Sequence, residues 1–210
     1  MIKAASIAVA AAVCFLLPNI AEACSRNASQ EASQTVVPAG RINQNLLDKA
    51  IRVEVNYHRC RAGMRNLGNA GNALARQALK HSIWMAKSQQ LTHRSTVPGA
   101  ATLKQRVRAS GVTYRIGSEN IGMVHRYRID NRRFKILSSA SCKFATKEGR
   151  VLPPHSYASL ARHIVNLWME SPNHRKNILD RGVTRVSTAV AYDPKARFCG
   201  RFWLTQNFVG

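Results

Sequence analysis

Apolar side chains recur at helical spacing from residue 43, where Leu46, Leu47, Ala50, Ile51 and Val55 share one stripe and predict a helix over 43–59. The stretch 61–71 has no period and contains three glycines, so it reads as a loop. Asn72 is suited to cap a second helix, with Leu74, Ala75, Ala78, Leu79, Ser82, Met85 and Ala86 on its apolar face. That helix should stop near residue 90 and leave His93 in the following loop. A third helix is predicted over 100–110, ended by Gly111. Residues 113–124 read as a strand interrupted by Gly117 and Gly122, and 126–154 as a basic, irregular insertion closed by Pro153-Pro154. Ser156 is placed to cap a fourth helix carrying Leu160, Ile164, Leu167 and Trp168. Ser171-Pro172 then matches a cap followed by proline at the first helical position of a short fifth helix. Two strand patterns, 185–192 and 198–208, finish the chain around a turn at 193–197. Helices first and an antiparallel hairpin last, without a βαβ rhythm, predict an α+β fold.

Composition adds a partner class. An apolar fraction of 45% in 210 residues suits one globular domain with a proper core. Against this stand 32 Lys+Arg and only 10 Asp+Glu, a formal charge of +22. Such a field draws in polyanions, among them anionic lipid head groups and acidic cell-surface polymers. The positives are scattered and not interleaved with aromatics, which argues against specific nucleic-acid recognition.

The first residues predict an address. Lys3, the apolar stretch 4–17 and Ala21-Glu22-Ala23 resemble a secretory signal peptide over 1–23, removed to leave a secreted or periplasmic chain with no transmembrane segment. Residues 24–42, rich in Ser, Ala and Gln, then read as a flexible lead-in to a single domain over 43–210. The four remaining cysteines, Cys24, Cys60, Cys142 and Cys199, form no CxxC motif. In an oxidising compartment they predict two disulfides, with three pairings open; Cys24–Cys60 with Cys142–Cys199 is the one favoured.

Three distant segments carry the candidate chemistry: Leu91-Thr92-His93, Glu119-Asn120-Ile121, and the run from Trp168 to Leu179 that contains Glu170, Ser171 and His174. Two imidazoles and a carboxylate in one cleft would be a zinc-type ligand set with an open position, or an acid/base pair in which Glu119 orients an imidazole. No HExxH helix and no Gly-x-Ser-x-Gly elbow occurs. His81 and His163 fall inside amphipathic helices and read as packed side chains.

These segments, with Ala78-x-x-His81-Ser82-x-x-Met85-Ala86, Arg106-Val107-Arg108-Ala109-Ser110-Gly111 and the closing Trp203-Leu204-Thr205-Gln206-Asn207-Phe208, resemble the CAP superfamily of cysteine-rich secretory, antigen-5 and pathogenesis-related proteins. The wording Ser171-Pro172-x-His174-Arg175-x-Asn177-Ile178-Leu179 is that of its exported bacterial members. The resemblance covers about residues 45–210. It implies an α-β-α sandwich with a small antiparallel sheet between helical layers, and a cavity lined by two histidines and two acids. His93, His174 and Glu119 match three of those positions. Where many members have the second acid this chain has Ser171, while Glu170, one residue earlier, points about 100° away on a helix. The expectation is therefore a three-member site of His93, Glu119 and His174, or one that Glu170 completes as a fourth ligand through local irregularity, for zinc, magnesium or calcium.

Two functions of different class follow. The leading one is an exported binding module for a lipid, a sterol-like ligand or an anionic surface polymer, without catalysis. The alternative is a metal-assisted hydrolase of peptide or anionic polymer built on His93, Glu119 and His174. A plainer variant of the first is a surface interaction protein whose specificity resides in the 126–154 insertion.

Overall fold

The computed structural model describes residues 24–36 and 42–210. The expected signal peptide over 1–23 lies outside the described residues. Five α-helices surround a central sheet: α1 (Gln44–Arg61), α2 (Asn72–Ser88), α3 (Leu103–Ala109), α4 (Tyr157–Glu170) and α5 (Pro172–Ile178). The strands are β1 (Gly68–Asn69), β2 (Gly117–His125), β3 (Lys135–Ser138), β4 (Lys143–Ala145), β5 (Arg185–Asp193) and β6 (Arg201–Val209). The central sheet runs β1-β5-β6-β2, and β3 and β4 pair separately.

The α-β-α sandwich expected from the sequence is the architecture found. Successive residues of β6 point to opposite faces of the sheet. Phe202, Leu204 and Phe208 join α1 and α4 in the main core, with Leu47, Ile51, Leu160, Ile164 and Trp168. Trp203 packs instead with Met85 of α2 and Ile121, and Val209 with Leu74 and Val107. Covered on both faces, β5 and β6 are buried almost throughout, so they lack the simple in-out alternation of a half-exposed strand. Gly122 is required where α4 crosses β2: a Cβ there would meet Ile164 Cδ1 at 2.7 Å and Trp168 Nε1 at 3.2 Å. Trp168 uses that closeness to donate from Nε1 to the Ile121 carbonyl at 2.9 Å.

Local signals set most helix ends. The Asn43 side chain accepts from the Leu46 amide, and Thr102 with Gln105 and Ser156 with Ser159 form reciprocal caps on α3 and α4. Asn72 is not the cap of α2. Gly71, at φ 95°, takes that position, and Asn72 is the first helical residue. Within the expected 61–71 loop, Gly68–Asn69 adds a parallel edge strand beside β5. Both residues are exposed and neither is apolar enough to pack, so no hydrophobic pattern marks the strand.

Two regions are more ordered than their composition implied. Residues 24–36 of the expected flexible lead-in are pinned by a Cys24–Cys60 disulfide, by buried Ala32 and Val36, and by a bridge between Thr35 and Ser156. Residues 37–41 of that lead-in lie outside the described residues. The 126–154 insertion folds into the β3–β4 hairpin over a small core of its own. Ile129, Phe144 and Leu152 are buried there, with Phe134 and Phe198 edge-on to Phe144. A Cys142–Cys199 disulfide fastens it to the turn between β5 and β6. Both favoured pairings are therefore the ones present.

Candidate functional site

The site is assembled where β2, the loop after α2, α3 and α5 meet. Glu119 lies on β2 opposite Asn207 of β6 and is 5% exposed. A carboxylate that deep needs a countercharge. Arg106 of α3, itself 1% exposed, supplies it: Nη2 donates to Glu119 Oε1 at 2.8 Å and to Oε2 at 2.6 Å. The guanidinium also holds the neighbouring loop: Nη1 donates to the carbonyls of Ala100 and Ala101, and Nη2 to that of His93.

His93 completes this cluster. Its Nδ1–H donates to Glu119 Oε1 at 2.9 Å, while its side chain remains 54% exposed. This fixes the ring orientation and turns Nε2 away from the carboxylate. The loop is tied back to α2 by His81, whose Nε2–H donates to the Thr92 carbonyl at 2.9 Å. Burial, and next the Arg106 charge, hold the His81 imidazole below its usual range, which keeps it neutral at pH 7.

α5 docks on β2 through two asparagines. Asn177 Nδ2 donates to the Glu119 carbonyl at 3.1 Å and to Asn120 Oδ1 at 2.8 Å; Asn120 Nδ2 donates to the His174 carbonyl at 3.3 Å. His174 is thereby carried beside the pair, half-buried. Desolvation, and then the charge of His93, lower its pKa. Among the described residues its imidazole makes no hydrogen bond to Glu119 or His93. Glu170 is exposed at the end of α4, and its charge acts on His163, not on this cluster. Ser171 lies half-buried between α4 and α5.

The sequence reading thus named His93, Glu119 and His174, and the fold brings them to one place. It missed Arg106, which looked like one more scattered surface cation. The only signal was indirect: Glu119 in an inward-facing strand demanded a positive partner. It gave no role to Asn120 and Asn177, which hold the pieces together, whereas His81, read as a packed side chain, is 2% exposed.

Glu119 is not available as a direct ligand for a resident zinc, magnesium or calcium ion. Both Glu119 oxygens accept from Arg106, and one also from His93, so a cation would have to displace or sit against a buried guanidinium. No group of three or more His, Cys, Asp or Glu among the described residues is arranged to hold a metal. The arrangement orients one exposed imidazole against a structural ion pair. Among the described residues no serine or cysteine is hydrogen-bonded to that imidazole as a nucleophile would be.

Comparison with known proteins places this fold in a recognised domain class. The sequence matches the Cysteine-rich secretory protein family, CAP, over residues 53–208, and the chain belongs to that family. No curated protein matches it. Among solved structures it is similar to an extracellular protein containing an SCP domain from Bacillus anthracis, with TM-score 0.52 and 22% identity, covering 79% of this chain and 41% of that one. It is also similar to an outer surface protein from Borrelia burgdorferi, with TM-score 0.53 and 13% identity, covering 81% of this chain and 97% of that one. The chain thus spans about two fifths of the Bacillus protein.

Proposed function

We propose that this protein is an exported, non-catalytic binding module that docks on anionic lipid surfaces through its 126–154 insertion. The observation that carries the reading is the surface of the β3–β4 hairpin. Ile136, Leu137 and Val151 are 51%, 57% and 71% exposed, the three largest exposures among the described large hydrophobic residues. The register of β3 shifts between Ile136 and Ser138, and this irregularity leaves two successive apolar side chains outward. Around them stand Arg132, Arg133, Lys135, Lys143, Lys147 and Arg150, none of which has a carboxylate ion partner among the described residues. Apolar tips ringed by unpaired cations match the chemistry of a membrane interface, where each cation adds about 1 kcal/mol near anionic lipid.

Export is supported by the two disulfides, which persist in oxidising compartments, and by the extracellular and outer-surface proteins of the same fold. Hydrolysis through a metal at His93, Glu119 and His174 is disfavoured because Arg106 already occupies the carboxylate. A hollow of about 450 Å3, bordered by Ile42, Leu79, Ile83 and Tyr192, gives a sterol or acyl chain a second place to go.

The test is co-sedimentation of the mature chain with vesicles. Binding should be saturable on phosphatidylglycerol, absent on phosphatidylcholine, and reduced at least tenfold in an Ile136→Ser/Leu137→Ser variant. Equal retention of that variant would overturn the reading. A sterol or fatty acid taken up from solution by that variant, with no vesicle binding by the native chain, would move the function to the second hollow.

A further inference from the structure

A second polar cluster lies outside the His93–Glu119 site, at the root of the insertion. Here a hollow of about 420 Å3 is lined by Arg128, Asp130, Arg132, His155, Arg162 and His163. Two segments distant in sequence create it: the 128–132 turn and the exposed side of α4. The first turn of α4 also borders it, so the positive end of the helix dipole adds to the field.

Charge in this hollow is unbalanced. Its one carboxylate is largely committed elsewhere. Asp130 Oδ1 accepts from His125 Nδ1, and Oδ2 accepts from the His125 amide at 2.9 Å. His163 Nε2 stands 3.8 Å from Oδ2, too far for a hydrogen bond. Arg162 spends Nε on Glu54 at 3.2 Å, but Arg128 and Arg132 have no acidic ion partner among the described residues.

The residues lining the hollow also carry buried nitrogens without partners. His155 is 3% exposed, and its Nδ1 pairs with Ser159 Oγ at 3.0 Å, leaving Nε2 buried and unpartnered. The Ser159 hydroxyl donates to the Ser156 carbonyl at 3.2 Å, so His155 Nδ1–H donates to Ser159 Oγ and Nε2 carries a lone pair. His163 Nε2 and Arg128 Nε are likewise buried without a hydrogen-bond partner. The two imidazoles lie with ring centroids 5.5 Å apart. Buried polar atoms left unmatched are rare because each costs about 1–3 kcal/mol. Three of them belong to residues that line one hollow together with the unpaired guanidiniums of Arg128 and Arg132, a setting that favours an anion.

We propose that this hollow is a binding site for a phosphate monoester group. Three guanidiniums offer more donors than the two oxygens of a carboxylate can use, whereas a phosphate monoester presents three terminal oxygens and a double charge. The volume falls within the range of small-ligand sites, leaving room for a small ester substituent beyond the phosphate. This site goes beyond the docking reading: it needs only the hollow, and it stands whether or not the hairpin enters a membrane.

The source of the phosphate, soluble or lipid-borne, is separated by experiment. Inorganic phosphate is titrated into the mature chain at pH 7 in 150 mM NaCl, with histidine side-chain resonances followed by NMR. The His155 and His163 signals should shift saturably. Arg132→Glu, an exposed substitution that leaves the fold intact, should weaken binding at least tenfold, while Lys80→Glu on α2, with the same change of charge, should leave it unaltered. Shifts that never saturate, that map away from His155 and His163, or that are equal in both variants would overturn the proposal. A parallel arm compares vesicles of phosphatidic acid and phosphatidylglycerol at equal surface charge. A preference for phosphatidic acid that Arg132→Glu abolishes assigns the group to a lipid head. Saturable phosphate binding without that preference assigns it to a soluble ester. Because the phosphate arm uses no membrane, failure of hairpin docking and failure of this site give different results.

Discussion

Arg106 and Glu119 are two charges taken almost entirely out of water, and their value depends on keeping both. A guanidinium nitrogen held against both carboxylate oxygens offsets the desolvation of the pair, but one partner left alone does not. Arg106→Ala should therefore lower unfolding stability by about 3–5 kcal/mol in urea denaturation, and adding Glu119→Gln should recover a large part of that loss. A loss under about 1 kcal/mol for the single variant would show that water reaches Glu119 freely. His155 makes a different residue-scale statement. Burial, then the charges of His163 and Arg128, hold its pKa at about 3, against 6.5 for a free imidazole. Above pH 6.5 the ring is neutral in both folded and unfolded chains and contributes no pH dependence. Below 6.5 the unfolded chain takes up a proton that the folded chain refuses until about pH 3. Stability must then fall with pH, by up to about 1.4 kcal/mol per unit from this group alone. His58, His81, His163 and His174 are shifted in the same direction by burial. Denaturant midpoints in phosphate-free buffer at pH 7, 5.5 and 4.5 should show the decline, with a shallower slope in His155→Gln. An unchanged slope in that variant would place the proton uptake elsewhere.

At the scale of elements, legibility followed how local the deciding interaction was. The helices announced themselves because their stripes and caps are read within a turn or two, as Ser156 with Ser159 and Thr102 with Gln105 demonstrate. Strand β1 did not, because two exposed residues become a strand only through a partner, Arg185–Val186, more than a hundred positions away. The insertion was read as irregular for the same reason: its small core borrows Phe198 and Cys199 from the turn between β5 and β6. That borrowing gives a prediction. Cys142→Ser/Cys199→Ser should cost about 2–5 kcal/mol of global stability and speed tryptic cleavage at Lys143, Lys147 and Arg150. Digestion timed by mass spectrometry checks it; cleavage no faster than in the native protein would mean that Ile129, Phe144 and Leu152 hold the hairpin unaided.

The whole molecule combines a neutralised interior with a cationic exterior. Only Arg26, Arg52, Arg106 and Arg162 are ion-paired to carboxylates among the described lysines and arginines, so most of the +22 faces solvent. The docking on anionic vesicles expected of the hairpin should consequently weaken as the screening length contracts from about 10 Å at 0.1 M salt to about 3 Å at 1 M, leaving the contribution of Ile136 and Leu137. By itself the sequence determined the helices, the two long C-terminal strands, the family and the net charge, because periodicity, caps and composition are properties of neighbouring residues. It also named His93, Glu119 and His174 as residues that belong together. Only the tertiary structure decided what they form. Arg106 reaches Glu119 through the packing of α3 on β2, and a buried carboxylate that has found a guanidinium is an anchor, not a metal ligand. Likewise His155 and His163 became a candidate site only when α4 and the 128–132 turn enclosed one hollow, since desolvation and convergence depend on neighbours that no short stretch of chain contains.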